Sequence, residues 1–426
     1  MHLTIRHPSL PSFDAVVVGA GPGGATAALA LAEAGARVLV VERDRVPRVK
    51  VCGGGVVGRA LQTVPPDAVV SADRVVRAVE VRLAGVRSSW IVEREEPLVF
   101  LTMRDRFDAG LLDGARRAGA EVWTECRFEA IDDEPGGVIV RTARGPIRAR
   151  HIVAADGALG GIARSAGWPG PLRGAAALEW EVPADRATIE RFASSVRFDL
   201  GRPVHGYAWV FPKQRHLSVG VLTMRRERAH LPQVLRDYLV ELDVPQVGGA
   251  GPRGFPIPCF GRRGGIARGA VLLTGDAAGL ADPITAEGIS PAMRSGRLAA
   301  AAILAHGTDR RAVATAYSRA VEREILAEAR AARRVAPLLY GAPRLRRAVF
   351  GAAGREVCES LTEVIRGRRS YRALAYGASS YGKLLLLVAR ASLASRPGSS
   401  TISSSCVPSS APSEKASTCP SSQRTR

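Results

Sequence analysis

Residues 13–24 read FDAVVVGAGPGG, and this stretch decides the fold. An apolar strand runs directly into Gly19-x-Gly21-x-x-Gly24, and the alanine-rich segment that follows is typical of a helix. In such a pattern the first glycine permits a tight turn, the second lets the backbone approach a pyrophosphate, and the third lets the helix pack against the strand. The N-terminus of the helix then offers N–H groups to the phosphates.

A second apolar strand strengthens this interpretation. Residues 36–41 (ARVLVV) end at Glu42, where a carboxylate can accept hydrogen bonds from the hydroxyls of an adenosine ribose. A lone glycine pattern would also fit an ordinary strand–turn–helix. The two strands, the helix and the acidic residue together predict a β-α-β unit that binds a dinucleotide.

Two later patterns extend this site to a flavin. Residues 153–164 contain Asp156-Gly157, and residues 271–280 contain Gly275-Asp276, each after an apolar run. An aspartate that closes a strand can accept hydrogen bonds from the ribityl hydroxyls of an extended cofactor. Either pair alone would fit a plain turn. Three signals in this order along the chain predict FAD.

The segment after Asp276 leads to Gly288-Ile289-Ser290 and a helix-forming run. Gly288 permits a close backbone approach, and the start of the helix supplies N–H donors and the positive end of a dipole. This end suits the N1–C2=O edge of a flavin, which carries negative charge when the flavin is reduced. A helix start that merely packs is the alternative.

The composition is that of an ordinary globular protein except for its charge. The chain has 426 residues, is 46% hydrophobic and carries a net charge of +20, almost all of it from arginine. Such a field favours nucleic acid, an anionic membrane surface or a phosphorylated substrate, unless arginine is simply the default surface cation. No RNA-recognition, zinc-finger or basic-zipper pattern accompanies the charge, so we expect no nucleic acid partner.

The cysteines and the hydropathy of the chain indicate in which cellular compartment the protein is expected. The six cysteines are scattered without metal-ligand spacing, so we expect neither a disulfide framework nor a metal site. Residues 1–12 lack the apolar core of a signal peptide, and no apolar run is long enough to span a bilayer. We therefore expect a cytoplasmic protein. The basic, leucine-bearing segment 383–390 adds the expectation of peripheral attachment to the inner face of the plasma membrane.

The pattern of elements predicts an α/β protein with two lobes. Residues 131–141 and 147–155 are expected as strands, 248–265 as loop, and 291–305 and 310–335 as helices. Alternating stretches predict an antiparallel sheet facing a ligand, and they are residues 75–91, 197–200, 206–211 and 216–223.

From residue 13 to about 340 the chain resembles the geranylgeranyl reductase family of FAD-dependent oxidoreductases, within the p-hydroxybenzoate hydroxylase-like fold. The specific motifs are PRVKVCGGG at residues 47–55 and YAWVFP at residues 207–212. The glycine pattern, residues 104–108 (RDRFD) and the two aspartate motifs are shared with flavin hydroxylases and halogenases. The chain departs from the family at Gly160, where a serine is usual, although Arg164 keeps its place.

The resemblance implies a Rossmann-like FAD-binding domain (13–82, 104–173 and 253–325) and an inserted antiparallel-sheet substrate domain (83–103 and 174–252). A helical C-terminal region (326–396) and a disordered tail (397–426) would follow. Together, the motifs and the resemblance give these cofactor-binding residues: Gly19, Gly21, Gly23, Gly24, Glu42, Cys52, Gly53, Gly54, Arg104, Phe128, Asp156, Gly275, Asp276, Gly288 and Ile289.

The resemblance also implies a reaction, in which reduced FAD transfers hydride to C=C bonds of a polyprenyl group. Tyr207, Trp209 and Phe211 alternate along one strand and so share a face. This face would line a prenyl cavity, or it would pack on the protein's own core. Aromatic faces can stabilise positive charge on an alkene carbon, so Trp209 and Tyr207 join Cys52 as catalytic candidates.

The sequence leaves the partners open. The substrate would be a prenylated lipid, a quinone or a prenyl diphosphate, and the electron donor NAD(P)H or ferredoxin, since no second dinucleotide pattern is present. One alternative is an FAD monooxygenase or halogenase that acts on an aromatic or polyketide-like substrate. Another is a flavin-binding, membrane-associated protein without turnover.

Overall fold

The computed structural model describes residues 10–64, 72–225, 230–245 and 250–377. The predicted membrane-binding segment 383–390 and the predicted disordered tail lie outside the described residues. Within the described part of the chain, no helix is both long and apolar enough to cross a membrane.

The first sheet carries the predicted dinucleotide-binding unit. Strand Ser12–Val18 lies in its middle and pairs in parallel with Val38–Val41 on one side and Gly145–Ala154 on the other. These central strands are almost wholly buried because helices cover them, as is usual in parallel sheets. The order across the sheet is Ala267–Arg268, Val271–Leu273, Gly145–Ala154, Ser12–Val18, Val38–Val41 and Glu121–Trp123.

A hairpin extends this sheet and corrects one prediction. Residues 131–141 do not form one strand, because a turn at Pro135-Gly136 separates strand Phe128–Glu134 from strand Gly137–Thr142. Gly136 has a φ of +83°, a conformation that glycine adopts at no steric cost. The second strand of the hairpin pairs with Gly145–Ala154.

Helices pack closely on this sheet. Pro22–Glu33 starts at the glycine turn and lies against Ile289–His306, where small residues bring the two backbones together. A Cβ on Gly296 would collide with the carbonyl of Gly23. Among the described residues up to 278, the other helices are Gly58–Leu61, Arg104–Arg117, Ile162–Ser165, Arg186–Phe192, Leu231–Glu241 and Gly275–Ala278.

A seven-stranded sheet forms the second layer. It is antiparallel except where Ser195–Leu200 runs parallel to Ala78–Leu83. A short three-stranded sheet, Gly55–Val57, Val99–Leu101 and Arg74–Val76, is separate from both. The order of the seven strands is Arg253–Pro258, Gly174–Pro183, His216–Thr223, Gly206–Pro212, Ser195–Leu200, Ala78–Leu83 and Ser89–Glu93.

The second sheet also differs from the sequence-based expectation. Part of the predicted loop 248–265 is the edge strand Arg253–Pro258, which pairs with Gly174–Glu179. Proline is tolerated at such an edge because its missing N–H faces away from the sheet.

The domain division itself stays a prediction. However, its boundaries at 82/83 and 252/253 assign strands Ala78–Leu83 and Arg253–Pro258 to the FAD-binding part, whereas both belong to the seven-stranded sheet.

The C-terminal part of the described chain is helical, as expected. The predicted helix 310–335 is observed as Arg310–Val321 and Ala327–Ala336, joined by a π-helical turn at Glu322–Leu326. A second π-helical turn at Pro337–Gly341 precedes Pro343–Ile365 and Tyr371–Tyr376. Tyr340, Phe350 and Ile365 from this region belong to the same core as the aromatic face of the second sheet, and Tyr340 lies against Tyr207.

Candidate functional site

A single elongated cavity of about 830 Å³ is lined by residues of both large sheets. Of the residues predicted to bind the cofactor or act in catalysis, all but Gly24 line it. Gly24 is buried behind the turn, where a Cβ would overlap the carbonyl oxygen of Gly19. The predicted residues on the cavity wall are Gly19, Gly21, Gly23, Glu42, Cys52, Gly53, Gly54, Arg104, Phe128, Asp156, Tyr207, Trp209, Gly275, Asp276, Gly288 and Ile289.

The dinucleotide end of the cavity is built by the glycine turn. Gly19 has a φ of +100°, and a Cβ there would run into the carbonyl group of Ala155 at the end of the neighbouring strand. The carboxylate of Glu42 is buried and accepts hydrogen bonds from the backbone N–H of Ala20 (2.8 Å) and of Asp44 (3.1 Å). These contacts fix the acidic group at the strand end, where an adenosine ribose is expected.

An arginine–aspartate cluster lies next to this end, and of Arg48, Arg104 and Asp108 only Arg104 was predicted as a site residue. Arg48 Nη1 donates to Asp108 (2.9 Å), and its Nε lies 3.5 Å from Glu42. Arg104 donates two hydrogen bonds, of 2.8 and 2.9 Å, to the same aspartate. Burial alone would lower the pKa of Arg104, but Asp108 and the thiol of Cys52 raise it above its ordinary value. The motif residues 104–108 were the signal for this cluster.

Two carboxyl groups lie on the cavity wall after their strands. Asp156 accepts from the N–H of Ile162 (3.0 Å), while its other oxygen is buried and finds no partner among the described residues. Burial raises the pKa of Asp156 and also that of Asp276, which Lys50 and Arg104 oppose in part. Such groups are ready to accept hydrogen bonds from ligand hydroxyls.

The family departure at Gly160 has a local consequence. A Cβ at this position would fall on the carboxyl group of Asp156. The usual serine would therefore displace Asp156, so here the substitution changes where the carboxylate lies and not only the number of hydrogen bonds.

The far end of the cavity is aromatic. Phe198 meets Tyr207 and Phe211 edge to face, each at 5.5 Å between ring centroids. Gly220 lies opposite Trp209 in the sheet and leaves room for the indole, since a Cβ there would overlap the ring. The Tyr207 hydroxyl donates to the carbonyl of Thr285 (2.5 Å), and burial raises the pKa of Tyr207.

Two buried ionisable groups escaped the sequence-based prediction. Lys213 is fully buried and donates to the carbonyls of Gly53 (2.8 Å) and Thr102 (2.7 Å). It thereby ties the Cys-Gly-Gly segment to the second sheet. Glu179 lines the cavity and is 6% exposed. Charged residues within or just after a strand usually face solvent. The local sequence therefore does not predict that Lys213 and Glu179 are buried.

Lys50 also faces the cavity, with its Nζ 3.2 Å from the ring centroid of Phe255. Burial lowers the pKa of Lys50 to about 8, although Asp276 opposes this shift. The side chain is therefore charged at pH 7 and loses its charge as the pH rises through 8. The stabilisation that Lys50 gives to an anionic ligand in the cavity is therefore present below about pH 8 and is lost above it.

We expect FAD affinity to fall between pH 7 and pH 9 by about fivefold, since one charge interacting with the phosphates across a partly solvated cavity contributes of the order of 1 kcal/mol. Titration of the apoprotein with FAD, followed by flavin fluorescence, measures this change. Lys50→Met should bind weakly at both pH values. Lys50→Arg should bind well at both, because guanidinium keeps its proton. Parallel pH profiles in all three proteins would contradict this role.

The geometry fits an extended FAD in the part of the cavity between the glycine turn and the helix start at Ile289. The glycine turn and Glu42 suit the ADP portion, the unpaired Asp156 oxygen and Asp276 suit hydroxyls, and the helix start at Ile289 suits the electron-rich ring. The fold and this site define the class of protein, an FAD-dependent oxidoreductase.

Comparisons with known proteins identify the family. The FAD binding domain family matches residues 12–198. Digeranylgeranylglycerophospholipid reductase 1 of Methanopyrus kandleri is 35% identical over 306 residues, which cover 67% of this chain and 79% of that protein. The menaquinone reductase of Mycolicibacterium smegmatis is 28% identical over 307 residues, covering 67% and 75%. The chain belongs to the geranylgeranyl reductase family of FAD-dependent oxidoreductases.

Solved structures share the fold. A geranylgeranyl bacteriochlorophyll reductase-like protein of Thermoplasma acidophilum superposes with a TM-score of 0.71 at 22% identity, covering 89% of this chain and all of that one. A flavin-dependent brominase and a halogenase share it too, with TM-scores of 0.63 and 0.66. The fold alone therefore does not separate reduction from halogenation.

Proposed function

We propose that this protein reduces C=C bonds in the polyprenyl chain of a membrane lipid or quinone. The observation that carries the proposal is the continuity of the cavity, which joins the dinucleotide end to a wall of Phe198, Tyr207, Trp209 and Phe211. A flat apolar wall suits a branched hydrocarbon. FAD, when bound and reduced, supplies the hydride.

The chain's own residues perform the remaining tasks. An isolated alkene has no carbonyl that could be polarised, so the site has to stabilise positive charge at the carbon that does not receive hydride. The faces of Trp209 and Tyr207 can do so without reacting. Cys52, held beside Arg104 and the aromatic wall, shapes the pocket at the junction of its two ends.

The names of the relatives support the choice of substrate. Their prenylated substrates, a digeranylgeranylglycerophospholipid and a menaquinone, both end in a long isoprenoid chain. The electron donor would be NAD(P)H or ferredoxin, and the net charge of +20 favours an acidic protein or an anionic membrane surface as partner.

Mass spectrometry tests the reaction directly. The FAD-loaded protein is reduced anaerobically with one equivalent of dithionite and mixed with digeranylgeranylglycerophospholipid, which carries no quinone ring that could accept the electrons instead. We expect product heavier by two hydrogens for each saturated bond, with oxidation of the flavin. In a parallel reaction with NADPH in air, a product that gains oxygen or halogen instead would replace this proposal by the monooxygenase or halogenase alternative.

The donor and the membrane partner need separate experiments. Anaerobic mixing with NADH, NADPH or reduced ferredoxin shows which of them bleaches the bound flavin. Sedimentation with anionic liposomes at low salt should carry the protein into the pellet. Protein that stays in the supernatant would contradict the membrane partner and leave the reductase proposal intact.

A further inference from the structure

Glu179 is the one carboxyl group that the seven-stranded sheet contributes to the cavity wall, as far as the structure describes that sheet. It lies opposite Gly220, which in turn lies opposite Trp209 on the next strand. Residues directly opposite one another share a face of the sheet. Glu179 and Trp209 therefore project from the same face, on either side of a glycine over which the Trp209 indole lies.

A chain of polar groups connects Glu179 to the protein surface. Its carboxyl group lies near enough to the backbone N–H of Cys52 and to the side chain of Glu181, two residues further along the same face, to interact electrostatically with both. Glu181 Oε2 lies 2.8 Å from Nε2 of His216, close enough for an ion pair but not aligned as a hydrogen bond, and the His216 side chain is 20% exposed. The row of groups thus runs from the cavity beside Cys52 to solvent.

We propose that Glu179 is the proton donor for the reduction, and that Glu181 and His216 return a proton to it from solvent. This inference rests on the proposed function and names the residue that completes it. In each cycle one alkene carbon receives the hydride and the other receives the proton of the Glu179 carboxyl group. The C=C π bond, the bond that holds the hydride in reduced FAD and the O–H bond of Glu179 break, and two C–H bonds form. The alkene gains two electrons, FAD would lose them, and Glu179 is left as a carboxylate that the relay protonates again.

The charges around Glu179 support a neutral acid at rest. Burial raises the pKa of Glu179 well above its ordinary value, and the neighbouring Glu181 raises it further. The ammonium of Lys213 and the N–H of Cys52 act in the opposite direction but do not outweigh these causes. For Glu181 the contacts with His216 and Lys213 lower the pKa. The proton of the pair therefore stays on Glu179, the member that faces the cavity.

The other candidate donors are less suited to the task. The hydrogen of the Tyr207 hydroxyl is directed at the carbonyl of Thr285 and not into the cavity. The sulfur of Cys52 accepts from the N–H of Gly54 at 3.4 Å and lies beside two cationic side chains, Arg104 and Lys50. Neither group is linked to solvent by an acid–base relay like that of Glu179.

The test compares Glu179→Gln with Glu93→Gln, a carboxyl group exposed on the edge strand of the same sheet. Both proteins are loaded with FAD, reduced with dithionite and mixed once with the prenyl substrate. We expect flavin content and reduction by dithionite to match the wild type in both. Oxidation of the reduced enzyme by the substrate should slow about 100-fold or more in Glu179→Gln alone, the usual loss when a general acid is removed.

An infrared measurement needs no substrate. The oxidised wild-type protein at pH 7 should show the carbonyl stretch of a protonated carboxylic acid that is missing from Glu179→Gln, and the band should fade as the pH rises through the pKa of Glu179. The absence of such a band would overturn the proposal. Glu179→Asp should retain the band and part of the rate, which excludes a folding defect as the cause.

The outcomes separate the two proposals. If the wild-type protein is not oxidised by any prenyl substrate, the proposed function fails and the donor assignment fails with it. If the wild type reacts and Glu179→Gln reacts as fast, only the assignment of Glu179 fails. His216→Gln tests the relay: it should slow repeated turnover but not the first, and equal steady-state rates would remove His216 from it.

Discussion

Gly19→Ala should yield a colourless protein that no longer retains FAD. The φ of +100° at this position strains any residue with a Cβ, at a cost of about 1–2 kcal/mol. In addition, the new methyl group would overlap the carbonyl group of Ala155, which belongs to backbone and cannot rotate away. The turn would have to shift, and the hydrogen bond from Ala20 to Glu42 would be lost with it.

The measurement is the ratio of flavin absorbance to protein, followed by titration with added FAD. We expect affinity to fall about 100-fold or more, which corresponds to about 3 kcal/mol. The matched control is Gly35→Ala, where φ is +79° but a Cβ meets no atom within 4 Å. This variant should lose only the stability that the backbone strain costs, and it should keep its FAD. Equal flavin content in both variants would show that the turn does not hold the dinucleotide.

The first sheet was predictable because its signals are local. The strand, the glycine turn and Glu42 lie within thirty residues of one another, and each needs a particular residue type for a backbone reason. Helix Ile289–His306 was likewise anticipated from its own alanine-rich pattern. In these segments, local propensity and tertiary structure favour the same conformation.

The second sheet was predicted less well because it depends on distant pairing. Arg253–Pro258 contains glycine and two prolines, and only its contact with Gly174–Glu179 makes it a strand. Glu179 lies within a strand and Lys213 directly after one, positions at which charged residues usually face solvent. Lys213 is buried because Gly53 and Thr102, more than 100 residues away along the chain, supply its hydrogen-bond partners.

Lys213→Met should both destabilise the fold and loosen the flavin site. Methionine fills much of the same volume, but it removes the hydrogen bonds from the ammonium to the carbonyls of Gly53 and Thr102, at about 1.5–3 kcal/mol each. It also removes the cation beside the carboxyl groups of Glu179 and Glu181. The variant also no longer has to bury an ammonium group, and the desolvation cost that is avoided offsets part of this loss. We therefore expect the free energy of unfolding to fall by about 3 kcal/mol.

Urea denaturation of the FAD-loaded protein measures this loss, and flavin release during the titration reports on the Cys-Gly-Gly segment. Because Lys213 ties that segment to the second sheet, flavin should leave at lower urea than in the wild type. Arg215→Met is the matched control, since Arg215 lies in the same turn and is exposed. It should change the free energy of unfolding by less than about 0.5 kcal/mol. If Lys213→Met unfolded like Arg215→Met, the two carbonyls would have to be satisfied by other donors, and the buried ammonium would have no structural role.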